Sequence, residues 1–224
     1  MDTSRGIMPD SLKKLRPPNL SDNAYGRLER MLVTLEIAPG AELTERELIS
    51  RVHMGRTPVR EAMQRLAWMG MIEIRPRAGL RITAIRPGDF QRVQNLRSLL
   101  EPIFARTATE RASPGQRAQI AACRDMMQEA VAMSDVKLFL AADKVFDRLM
   151  AESAADEFLV RALDPLQVHA RRLWFHHVGQ GGLVRAASLH MPVMDAFVAA
   201  NAGSAEAAMR ALIDGIAEGA GSDQ

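Results

Sequence analysis

Apolar positions change their spacing several times along this chain, and each change marks an element. Tyr25, Leu28, Met31, Leu32 and Leu35 fall three and four apart, the stripe of an amphipathic helix that Ser21 is placed to cap. Pro39 and Gly40 end it. Thr44-Glu45-Arg46-Glu47 has the form of a capping box, in which the Thr44 hydroxyl serves the third helical amide and the Glu47 carboxylate returns to the amide of Thr44. A short second helix therefore starts at Glu45, turns Leu48 and Val52 inward, and gives way at His53 to Gly55.

Thr57 and Pro58 suit the cap and first turn of a third helix, since proline's fixed φ fits a helix start and its missing donor costs nothing there. Val59, Ala62, Met63 and Leu66 form the core face of this helix; Arg56, Arg60 and Gln64 point away, and Gly70 terminates it. Glu61 either pairs with Arg65 four residues on or stays solvated. Spacing then shifts to alternation: Ile72 and Ile74, then Leu80 and Ile82, interleave with polar residues across Pro76, Arg77, Ala78 and Gly79. That pattern predicts a two-stranded hairpin. Helix, short helix, arginine-bearing helix and hairpin in this order predict a winged helix-turn-helix over residues 21–86, built to enter a DNA major groove.

From Arg86-Pro87-Gly88, a linker by composition, helical spacing returns and holds to the end. Asp89 caps a helix carrying Phe90, Val93, Leu96, Leu100 and Phe104; Ser113 with Pro114 opens another with Ile120, Met127 and Val131. Further helices are predicted over about Val136 to Met150, Glu157 to Trp174, Leu183 to Ala200 and Ser204 to Ala217. Residues 87–224 thus read as an all-α antiparallel bundle, large enough to enclose a pocket and to dimerise. The fold class is mainly α: an N-terminal winged helix-turn-helix with a two-stranded wing, followed by that bundle.

Charge sharpens the division. Met1 to Arg86 hold 15 Lys and Arg against 10 Asp and Glu, a balance of +5, whereas Pro87 to Gln224 hold 14 against 17, a balance of −3. A polyanion is drawn to the first part, with an affinity that falls as salt rises. Residues 1–20, with Lys13, Lys14, Arg16, Pro17 and Pro18, read as a flexible basic arm. No apolar run reaches the roughly 20 residues of a membrane span, and the first residues lack a secretory h-region, so a cytoplasmic protein without membrane contact is expected. Cys123, the single cysteine, reads as a core residue. His176 and His177, beside Arg171, Arg172 and Trp174, read as a polar, basic cluster at a helix end, with an interhelical loop over Gly179 to Gly182.

Pro39, Gly40, Leu43, Glu45, Glu47 and Leu48, then Arg56-Thr57-Pro58-Val59-Arg60-Glu61-Ala62, then Leu66, Gly70 and Gly79 resemble the DNA-binding domain of the GntR family of bacterial transcription regulators. The resemblance implies that Arg46, Arg56, Thr57 and Arg60 contact phosphates and guanine edges and that Gly79, with Arg77 in the wing loop, approaches the minor groove. A guanidinium fork suits this work, because it engages both major-groove acceptors of guanine. Relatives usually carry glycine where His53 stands and serine or threonine where Gly55 stands.

The second part resembles the helical effector domain of the FadR subfamily through Asp89, Arg97-x-x-Leu100-Glu101, Asp143-x-x-Phe146-Asp147, His190-x-x-Val193 and Ala205-x-x-x-Met209. Many such domains hold a divalent metal with an aspartate, a histidine four residues on and two later histidines, and the metal helps bind a small carboxylate. Here Asp143 and His190 match, but Asp147 and Leu212 stand where histidines are expected. Asp143 and Asp147 share a helix face, so with His190 they could take a harder ion such as Mg or Mn. Without one, the paired carboxylates need a neutralising partner, for which Arg97 is the candidate. The effector residues expected are Arg97, Asp143, Asp147 and His190.

Together these features predict a homodimeric, non-enzymatic regulator, a repressor, that binds double-stranded operator DNA under control of a small carboxylate effector. Two alternatives remain: a metal-dependent helical enzyme with a basic localisation domain, and a DNA binder with no effector.

Overall fold

The computed structural model describes residues 19–76 and 79–221. The basic arm, apart from its last two residues, and Arg77 in the wing loop lie outside them. Among the described residues the chain divides into two compact units, one of residues 19–93 with 164–177, the other of 94–163 with 178–221.

In the first unit, α1 spans Leu20–Val33, α2 Glu45–Val52 and α3 Arg56–Trp68. Asn19, not Ser21, caps α1, in a reciprocal box with Asp22; the Ser21 hydroxyl instead donates to the Glu61 carboxylate. The box at the head of α2 forms as its sequence predicts: Glu47 N–H donates to Thr44 Oγ1 at 3.2 Å and Thr44 N–H to Glu47 Oε2 at 2.7 Å. These bonds hold the Glu47 carboxyl below the usual range, the backbone bond from Thr44 foremost. Helix α2 ends at His53 with φ of 52°, the left-handed conformation that explains why glycine suits this position.

The core of this unit joins Leu28 and Leu32 of α1, Leu48 and Val52 of α2, Val59 and Leu66 of α3, and Met71, Leu80 and Ile82. The wing has three strands rather than two. Strand β1 (Glu42–Leu43) pairs antiparallel with β3 (Gly79–Ile82), which pairs with β2 (Ile72–Arg75), in the order β1-β3-β2. Gly79 has φ of +87°, and a Cβ there would collide with the Leu43 carbonyl oxygen. Closure of the sheet alone therefore requires glycine at this position. Ile74, expected inside, is exposed.

The C-terminal part of α7 (Glu157–His177) belongs to this unit from Asp164 onward. His169 Nε2 donates to the Met69 carbonyl at 2.8 Å, capping the end of α3, and Arg171 makes a buried ion pair with Glu29 at 3.5 Å. Arg171, Arg172 and Trp174, expected as part of a polar, basic cluster at a helix end, are buried in the core.

The second unit contains α4 (Asp89–Arg111) from Gln94 onward, α5 (Pro114–Ala132), α6 (Val136–Ala154), the start of α7, α8 (Leu183–Val198) and α9 (Ala202–Gly221). Ser113 caps α5 in a box with Gln116, and Asp135 caps α6. Helix α8 packs on α9 and α5, and α5 on α6, around Phe104, Ile120, Met127, Phe146, Leu149 and Phe197. Cys123 is fully buried; its thiol donates to the Ala142 carbonyl, and burial pushes it up to about 12, which makes it inert. Among the described residues no helix is long and apolar enough to cross a membrane.

Candidate nucleic-acid interface and effector cluster

The tip of α3 carries the basic residues that the sequence singles out. Gly55 caps this helix without a side-chain bond, so the first turn begins with Arg56, Thr57 and Pro58 at the surface. Val59, Ala62, Met63 and Leu66 anchor the opposite face, leaving Arg56 and Arg60 with 69% and 59% of their side chains exposed. Both reach one carboxylate: Arg56 Nε donates to Glu45 Oε1 at 2.8 Å and Arg60 Nε to Glu45 Oε2 at 3.0 Å. The Arg56 bond foremost, with that of Arg60, holds the Glu45 carboxyl below its usual range.

Glu45, at the first position of α2, was not a site residue in the sequence reading. Its spacing to two arginines in the next helix is the signal that could have found it. It aligns the two forks side by side while each keeps further N–H donors for an incoming acceptor. Arg46 is exposed on α2, and Thr57 is exposed beside Arg56. Arg65 pairs with Asp22 at 3.9 Å and Asp164 at 3.5 Å and lies over the Tyr25 ring, so it does not join Glu61.

In the bundle, Arg97, Asp143, Asp147 and His190 do come together, with two additions. Arg97 forms a two-pronged bond with Glu101, Nε to Oε1 at 2.6 Å and Nη2 to Oε2 at 2.9 Å, and donates from Nη1 to Gln94 Oε1 at 2.8 Å. Glu101 therefore takes the guanidinium that was expected to neutralise the aspartates, whose charges also favour the charged form of Arg97. Glu101 and Gln94 are both 2% exposed, and the Gln94 Nε2 donor meets no acceptor among the described residues.

His190 spends both ring nitrogens. Nδ1 donates to the Ala186 carbonyl at 2.7 Å, and Nε2 faces Asp143 Oδ1 at 2.9 Å. Burial lowers the imidazole pKa, but the hydrogen bond and charge of Asp143 outweigh it and leave the value raised. Among the described residues no group of three His, Cys, Asp or Glu side chains is placed to hold an ion. Asp143, Asp147 and His190, as they are placed, do not make such a group. Leu212, where a last histidine was expected, is core.

Residues 20–82 match the profile of "Bacterial regulatory proteins, gntR family", and residues 92–215 match the FCD domain. The chain belongs to the GntR family. It is 29% identical over 84% of its length, and 84% of the relative's, to a "Probable D-xylose utilization operon transcriptional repressor" of Paenarthrobacter nicotinovorans. It is 26% identical to the "HTH-type transcriptional repressor RspR" of Escherichia coli, over 89% of this chain and 88% of that one. The solved structure of E. coli McbR/YncC superposes with a TM-score of 0.76 at 17% identity, covering 92% of this chain and 98% of that chain, which shows the shared fold. As a GntR protein with an FCD domain, the chain is a DNA-binding, effector-responsive transcription regulator and not an enzyme.

Proposed function

We propose that this regulator is a cytoplasmic homodimer that represses transcription by placing two copies of α3 in successive major grooves of a palindromic operator, and that a metabolite in the FCD bundle relieves it. The observation that carries this reading is the pair of exposed guanidinium forks aligned by Glu45 at the tip of α3. Arg46 and Thr57 supply phosphate contacts beside them; Gly79 and Arg77 bring the wing to the minor groove. Two relatives named as repressors support the sign of regulation.

The dimer rests on Leu96, Leu99 and Ile103, which lie three and four apart on one face of α4 and are all exposed. Such an apolar stripe is a self-association face for a two-fold dimer. Effector chemistry is narrowed by one idle donor: Gln94 Nε2 meets no acceptor among the described residues, so a ligand that offers it an acceptor fits the cluster.

Footprinting on genomic fragments captured by the protein tests the whole reading. Two protected half-sites one helical turn apart are expected. In sedimentation, Leu99→Asp is expected to give a monomer whose operator affinity is at least about tenfold weaker. Protection of a single half-site, or an unchanged dimer in the variant, would contradict the proposal.

A further inference from the structure

A cavity of about 300 Å³ lies within the first compact unit, where the chain leaves β3 and enters α4 beside α7. Its walls include Thr83, Arg86, Asp89, Arg92, His169 and Arg172. Arg172 is 1% exposed. It donates from Nη2 to the Thr83 carbonyl at 2.6 Å, yet its Nε–H meets no acceptor, and it makes no ion pair, among the described residues. Burial lowers its pKa to about 10, the sign of a guanidinium without adequate counter-charge.

The one carboxylate on the wall is already engaged. Asp89 Oδ2 accepts from the Arg86 backbone N–H at 2.8 Å, and Oδ1 accepts from Arg92 Nη1 at 2.7 Å. His169 adds no charge: burial lowers its pKa, and its Nε2 proton is spent on the Met69 carbonyl. The Thr83 hydroxyl is spent on the Gly70 carbonyl. Three arginines therefore face one aspartate, and a buried N–H donor remains idle beside a cavity of ligand size.

We propose that this cavity is a second ligand site, separate from the bundle cluster, that takes a small multivalent oxyanion. The ligand accepts from Arg172 Nε and is flanked by the guanidinium groups of Arg86 and Arg92. Phosphate and small polycarboxylates share this chemistry. The occupied site ties the Thr83–Arg92 segment, which carries the wing's exit strand into α4, to α7. An anion thereby acts on the DNA-binding half directly, whatever the bundle binds.

Thermal unfolding of the full chain at constant ionic strength tests this, with sodium phosphate or sodium citrate replacing sodium chloride. The wild type is expected to show a saturable rise in Tm of about 3–5 °C with at least one of the two anions. A response to phosphate alone identifies a phosphate site, and one to citrate alone a carboxylate site. Arg172→Met is expected to lose the rise while melting at an equal or higher temperature in chloride, since a buried cation has been removed. The double variant Arg86→Ala/Arg92→Ala, altered only in exposed side chains, is expected to shift half-saturation at least about tenfold, and it decides the matter if Arg172→Met does not fold. No saturable rise in the wild type would overturn the proposal. So would an equal rise in the double variant, since that is the general effect of anions excluded from protein surfaces.

Discussion

At the tip of α3, Arg56 and Arg60 share Glu45 while remaining more than half exposed; in the bundle, Arg97 is 13% exposed and grips both oxygens of Glu101. The residue types and the bond lengths are nearly the same. Solvent makes the difference. Exposed pairs contribute little to stability because water screens them, so the α3 forks can exchange Glu45 for a phosphate or a base edge at small cost. The Arg97 pair is desolvated, and removing either member strands the other. One arrangement is therefore exchangeable and suited to binding, while the other is fixed and suited to holding a cluster in shape.

The largest effect on stability should come from breaking the fixed pair. Arg97→Met strands Glu101, and urea denaturation should show a loss of about 3–5 kcal/mol. A loss below about 1 kcal/mol would mean the two regions do not differ as described.

The His190–Asp143 pair sharpens the contrast through pH. Because the folded imidazole pKa is raised above its ordinary 6.5, the pair's contribution is fully present below pH 6.5 and is lost as pH rises through the folded value. Wild-type stability measured from pH 6 upward should therefore fall relative to His190→Gln, with the difference levelling off at high pH. The exposed Glu45 pairs should show no matching step over this range.

The smallest effect concerns the turn before α3. His53 holds a left-handed conformation that glycine adopts without strain, so His53→Gly should stabilise the protein by about 0.5–1 kcal/mol in thermal melts. Operator affinity should stay within a factor of about three, since neither fork moves.

Local chemistry made much of the first unit legible. The Thr44–Glu47 box and the Gly70 stop each act within a few residues and appear in the structure where the spacing puts them, whereas α3 starts two residues earlier than Thr57 and Pro58 suggest, with Gly55 as its cap. What depended on distant partners was not legible. Strand β1 is two residues long and exists only because β3 pairs with it. Arg171 and Arg172 read only as part of a polar, basic cluster because nothing near them in sequence shows that Glu29 and Thr83 come to meet them. In the bundle, Asp143 and His190 meet, as the resemblance implies. The direct bond between His190 and Asp143 is a tertiary fact that no spacing contains.

The central claim is that the exposed forks at the tip of α3 read the operator, and the double variant Arg56→Ala/Arg60→Ala tests it most directly. Fluorescence anisotropy with the protein's own operator should show an affinity loss of at least about 30-fold, from two guanine contacts of about 1–3 kcal/mol each, with urea stability essentially unchanged. Undiminished operator affinity in a folded double variant would contradict the account.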